Sequence, residues 1–133
     1  MKLLKKKYSI KKKYCFFVVK TIKKMHEDNI VIEIDGIPQH IKPMGFCIVS
    51  NRITMDGAKV GYMYREEGDG ENDSGWRFLA GDETEEYVED PANGKIFDVN
   101  IIAHHDPAII PFLKYPYDSE LERVENKDTF QEL

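Results

Sequence analysis

Apolar and polar positions alternate most cleanly between Lys59 and Arg65. In an extended chain, Val60, Tyr62 and Tyr64 point one way and Gly61, Met63 and Arg65 the other. Residues 46–53 also read as a strand, and the TMDG sequence at 54–57 reads as a turn, so the two runs predict a hairpin. A third strand is expected at 75–79, with Trp76 and Phe78 on one face and Arg77 and Leu79 on the other. Pairing of these strands would bury Trp76 against Val60, Tyr62 or Tyr64. It would also let Arg65 and Arg77 share a sheet face. Residues 96–99 predict a short strand, and residues 121–124 and 129–133 a closing hairpin around Asn126, Lys127 and Asp128.

Helical signals are short. Residues 81–84 open a helix through Tyr87 and Val88, with Asp82 as its cap, and Asp90-Pro91 and Asn93-Gly94 end it. Asp98 or Asn100 caps a helical turn through Ala103. Asp106-Pro107 starts another helix, with Ile109, Ile110, Phe112 and Leu113 as its apolar face and Pro111 limiting its length. Upstream, residues 29–34 and 37–41 flank Asp35-Gly36, a hairpin signal, and Pro38 puts the second arm at a sheet edge. The expected fold is a single α+β domain: a mostly antiparallel sheet of short strands and hairpins with two or three short helices. The chain divides into a lysine-rich segment at 1–25, a short hairpin or lead-in at 26–43, and the α+β domain at 44–133.

Composition changes this picture at one end. The chain of 133 residues is 41% hydrophobic and 11% aromatic, enough for a packed core and too much for a disordered chain. The net charge of −5 conceals an asymmetry: residues 1–25 hold ten lysines and no acid, whereas residues 26–133 hold nine basic residues against all 24 acids, a formal −15. Residues 14–22 fit a strand or a short helix equally well. The basic segment reads as an element of the fold, a nucleic-acid arm, a membrane-surface segment, or a start set upstream of the true one at Met25 or Met44. Its composition break predicts that residues 1–24 are dispensable for folding. No apolar run approaches the roughly 20 residues of a membrane helix. Nor does a clean apolar stretch and cleavage site follow the basic start. The protein is therefore expected in the cytoplasm, with no membrane partner. Cys15 and Cys47 form no CxxC pair and read as small buried hydrophobes.

Candidate chemistry is sparse. The acidic stretch 69–75 fails as a calcium loop, because the positions that need glycine and glutamate hold Ser74 and Ala80. It reads as a solvated loop. His104 and His105 are adjacent, so on a helix they diverge by about 100° and do not readily share a metal. They read as helix-end surface histidines, and His26 and His40 lie far away in sequence. No nucleophile elbow and no phosphate loop is present. These readings assign no catalytic residue, no cofactor and no metal. Trp76 with nearby arginines and tyrosines has the composition of an interface hot spot, set against the plainer reading of Trp76 as core. The candidate interface is Tyr62, Tyr64, Arg65, Trp76, Arg77 and Asp82.

Several stretches together resemble one bacterial family: CIVSNRIT at 47–54, Asp56-Gly57, VGYMYREE at 60–67, DSGWRF at 73–78 and GDE at 81–83. Glu86-Tyr87, Asp90-Pro91, FDVN at 97–100 and DPAIIP at 106–111 extend the resemblance across about 43–130. The family, formerly a domain of unknown function, is immunity-protein family thirty-three of polymorphic toxin systems. The resemblance implies a non-catalytic α+β domain that binds and neutralises a cognate protein toxin. The acidic body suits such a role, because nuclease toxins carry basic clefts that an acidic inhibitor can meet quickly. Two other hypotheses stand beside it. One is a small-molecule binder or enzyme with a pocket near Trp76 and Arg77. The other is a nucleic-acid accessory protein led by the lysine arm, a partner the acidic body disfavours.

Overall fold

The computed structural model describes residues 32–133. The lysine-rich segment, Cys15, His26 and the start of the upstream hairpin lie outside the described residues. The described residues form six strands: β1 (Phe46–Ser50), β2 (Tyr62–Arg65), β3 (Asp73–Leu79), β4 (Gly94–Asp98), β5 (Glu120–Arg123) and β6 (Phe130–Glu132). They form one sheet in the order β4-β1-β3-β2-β5-β6. Only β1 and β3 run parallel; every other neighbouring pair is antiparallel. The helices are α1 (Asn51–Thr54), α2 (Glu85–Glu89) and α3 (Val99–His105), with 3-10 turns at Pro91–Asn93 and Pro107–Phe112. This is an α+β domain built on a mostly antiparallel sheet.

The expected hairpin between the first two strands does not form. Ser50 ends β1 instead of continuing it: its backbone stays extended while its hydroxyl accepts from the Arg52 amide, which caps α1. The chain leaves the sheet there and returns one position further over, so β3 fits between β1 and β2. The hairpins are β2–β3, joined by the acidic loop, and β5–β6. The upstream hairpin is also corrected. Asp35-Gly36 does turn, with Gly36 at φ +83°, but residues 37–41 form no strand. Asn100 holds them instead: its side chain accepts from the His40 amide at 2.7 Å and donates to the Pro38 carbonyl at 3.0 Å.

Burial divides between the two faces of the sheet. On the first, Cys47, Val49, Met63, Trp76, Phe78, Phe97, Leu121 and Phe130 pack under Val99, Ile102 and Ala103 of α3 and Ile109 of the following 3-10 turn. Trp76 is fully buried, stacks on Phe78 at 6.0 Å and donates its indole N–H to the Leu113 carbonyl at 3.0 Å. On the second face, Ile48, Tyr62, Tyr64, Leu79 and Ile96 cluster with Val88 of α2. Trp76 is thus buried as expected, in the same cluster as Val60 and Met63, but the tyrosines lie across the sheet from it. Val60 departs from the alternation because it precedes the regular strand. Its amide is held by the Asp106 carboxylate at 2.9 Å and its carbonyl by Arg123 Nε at 2.8 Å.

Two expected helix caps move. Thr84, not Asp82, caps α2, accepting from the Tyr87 amide at 3.1 Å. Asp106 makes no capping hydrogen bond to the turn it precedes, because its carboxylate is committed to Val60 and to an ion pair with Arg123. Asp98 does cap α3, accepting from the Asn100 amide.

Candidate functional site

Strand β3 decides where the candidate residues go. Between Phe46 and Ile48 of β1, the partner positions on β3 advance from Asp73 to Arg77, so β3 carries a bulge. Gly75 makes it possible: its φ is +85°, and a Cβ there would lie 2.0 Å from the Glu66 carbonyl oxygen. Ser74 stitches the bulge, donating to the Phe46 carbonyl at 2.6 Å and accepting from the Trp76 amide at 3.1 Å. Asp73 is consequently no part of a solvated loop. It is buried and pairs with Arg77 at 2.7 Å.

Arg65 and Arg77 occupy opposite faces, contrary to expectation, because Arg65 stands opposite Trp76 while Arg77 stands opposite Tyr64. Arg77 is 1% exposed and reaches Asp73 through two nitrogens and Glu66 through Nε at 2.8 Å. Burial works against its charge, but Asp73 and Glu66 outweigh that and raise its pKa. Burial pushes the Asp73 carboxyl up, and the hydrogen bonds and charge of Arg77 more than reverse this, holding it below the usual aspartate value. Tyr62 donates its hydroxyl to Glu120. Tyr62, Tyr64, Trp76 and Arg77 are each at most 2% exposed, so their side chains offer no surface to a partner.

Arg65 and Asp82 do reach the surface, at opposite ends of β3. Arg65 donates to the Ser74 carbonyl at 2.9 Å and the Tyr115 carbonyl at 2.8 Å. Its guanidinium lies 5.7 Å from the Trp76 ring centroid and 4.8 Å from that of Tyr117. Tyr117 is 50% exposed and was not among the expected residues; its sequence signal was an aromatic beside Pro116 outside any periodic run. Asp82 pairs with Arg52 at 2.8 Å, and that bond holds its carboxyl below the ordinary value. Sequence reasoning also missed Glu83, whose buried carboxylate accepts the Ala80 and Gly81 amides, both at 2.8 Å, and closes the turn after β3.

Trp76 and Arg77 are buried on opposite faces of one strand, so no single pocket is lined by both. Cys47 is fully buried, its thiol donates to the Phe97 carbonyl, and burial raises its pKa well above the ordinary value, away from nucleophilic character. His104 and His105 lie in the last turn of α3, where His104 Nδ1 lies 2.8 Å from His40 Nε2, while Nε2 of the half-buried His105 meets the Ala58 carbonyl. Among the described residues, no three His, Cys, Asp or Glu side chains are grouped to hold a metal ion. None of their helices is long and apolar enough to cross a membrane.

No curated protein and no solved structure matches the chain. A protein-family model described as the Immunity protein Imm33 domain matches residues 47–133. That stretch holds Ser74, Gly75, Arg77 and Glu83, whose roles in the bulge, the buried ion pair and the turn are set out above. With this match running through β1 to β6, the chain belongs to the Imm33 immunity protein family.

Proposed function

We propose that this protein binds one cognate bacterial toxin in the cytoplasm and blocks it by occupancy, without turnover. Membership of an immunity protein family carries this reading. The acidic body supports it: nine basic residues against 24 acids over 26–133 would draw in a toxin with a basic active-site cleft, as a nuclease has. The Arg65–Tyr117 stack supplies a half-exposed aromatic already fixed in place, the kind of group that anchors an interface with little ordering cost.

Titration of a purified toxin domain with the full-length protein tests the mechanism. Inhibition should end sharply at a fixed molar ratio, and the association rate should fall steeply as salt rises, since exposed charges are screened beyond about 8–10 Å at physiological ionic strength. Inhibition that grows with time at trace amounts of this protein would show turnover and overturn the non-catalytic reading.

A further inference from the structure

Helix α3 brings together two histidines that lie 64 positions apart in sequence. Asn100 and His104 stand four residues apart on it and so share one helix face. Residues 38–41 lie across that face. The Asn100 side chain accepts from the His40 amide at 2.7 Å and the Ile41 amide at 3.3 Å, and it donates to the Pro38 carbonyl at 3.0 Å. Asn100 is itself held, because its amide donates to the Asp98 carboxylate at 2.9 Å. The backbone around His40 is therefore fixed against α3 before its side chain makes any contact.

One turn further along the helix, His40 Nε2 lies 2.8 Å from His104 Nδ1, with ring centroids 4.9 Å apart. Both residues are exposed, so water reaches the pair. His105 takes no part in it, since its Nε2 meets the Ala58 carbonyl at 2.9 Å.

Two facing imidazole nitrogens have two chemical uses. With one N–H between them they make a hydrogen bond. With both nitrogens bare they offer two lone pairs to one cation. As a latch for residues 38–41 the hydrogen bond is redundant, because Asn100 already secures them with three. As a chelate the spacing is useful. Metal–imidazole bonds of about 2.0–2.1 Å place two nitrogens on one ion roughly 2.8–3.4 Å apart, from square-planar to tetrahedral angles. The observed separation lies at the square-planar end, so an ion enters by a swing of two exposed rings. The protons balance without a change of charge. Coordination through Nε2 leaves the His40 proton on Nδ1, and coordination through Nδ1 leaves the His104 proton on Nε2.

We propose that His40 and His104 form a two-imidazole site for a divalent transition-metal ion, with water in the remaining positions. Ni2+ and Cu2+ suit the spacing best, being the ions that favour square-planar and tetragonal nitrogen sites. The bound ion ties residues 38–41 to the last turn of α3. This inference stands apart from toxin binding.

Calorimetric titration of the full-length protein with Ni2+, in a buffer that does not itself coordinate metal, is the test, with His40→Ala and His104→Ala alongside. Wild type should bind one ion at this pair, and Ni2+ should raise its Tm, since the ion binds the folded chain more tightly than the unfolded one. Each substitution should weaken binding about tenfold or more, because the second imidazole no longer acts at high effective concentration. Each should also remove the Tm shift. An unchanged Tm without metal shows that a variant is still folded. Should His40→Ala lower that metal-free Tm, His104→Ala decides alone, because the Asn100 bonds to residues 38–41 survive it. Absence of saturable Ni2+ binding by the wild type, or equal affinity in wild type and His104→Ala, would overturn the proposal and leave the pair as a hydrogen bond.

Discussion

The two faces of the sheet are held by different physics. Beneath α3 the core is mostly apolar; the indole of Trp76 is satisfied by Leu113, the Cys47 thiol by Phe97, and the Asp106–Arg123 pair holds Val60 at one end. The opposite face buries an arginine paired with the buried Asp73 and the half-buried Glu66, and a tyrosine hydroxyl bound to Glu120. On the first face, stability follows the volume packed. On the second it depends on every charge keeping its partner, because an unpaired buried charge costs far more than a paired one returns. Single substitutions should therefore be felt in proportion to volume on one side and to pairing on the other.

The largest effect is expected from Trp76→Ala, which leaves a cavity beside Phe78 and should destabilise by about 3–5 kcal/mol in denaturant unfolding. A loss below about 1 kcal/mol would mean that the first face does not dominate packing. Next is Asp73→Asn, which preserves shape but strips Arg77 of a charged partner, for about 3 kcal/mol. The pH dependence has a definite sign. The folded pKa of Asp73 is depressed, so its contribution is present above the ordinary aspartate value and is lost as pH falls through the folded one. Wild type should lose stability on acidification through that range, and Asp73→Asn should lose less. Parallel curves would separate Asp73 from the acid response.

Smaller still is Tyr62→Phe, which removes only the hydroxyl bound to Glu120 and should cost about 1 kcal/mol. The smallest stability effect belongs to Tyr117→Ala, within about 0.5 kcal/mol for an exposed side chain. If the Arg65–Tyr117 end is the toxin interface, that variant should nevertheless raise the dissociation rate about tenfold or more; an unchanged rate would move the interface elsewhere.

How much of this was legible follows from what alternation reports. The period of two gave β2 and placed Trp76 and Phe78 on one face of β3, because side-chain direction is local. Pairing is not local. Ser50 reads as a strand residue and acts as a helix cap, and β1 pairs with β3 and β4 instead of β2. The Gly75 bulge likewise turned Asp73 from a loop acid into the partner of a buried arginine. The candidate interface suffered from a related blindness: alternation separates two faces without telling whether both are covered. Four of the six residues proved buried, while Tyr117, outside any pattern, kept its surface.

Survival of cells that carry the toxin domain encoded beside this protein tests the central claim most directly. Toxin induced alone should kill, and co-expression of the full-length protein should restore growth, while an unrelated immunity protein should not. Equal killing with and without this protein, at comparable levels of soluble product, would contradict immunity to that toxin.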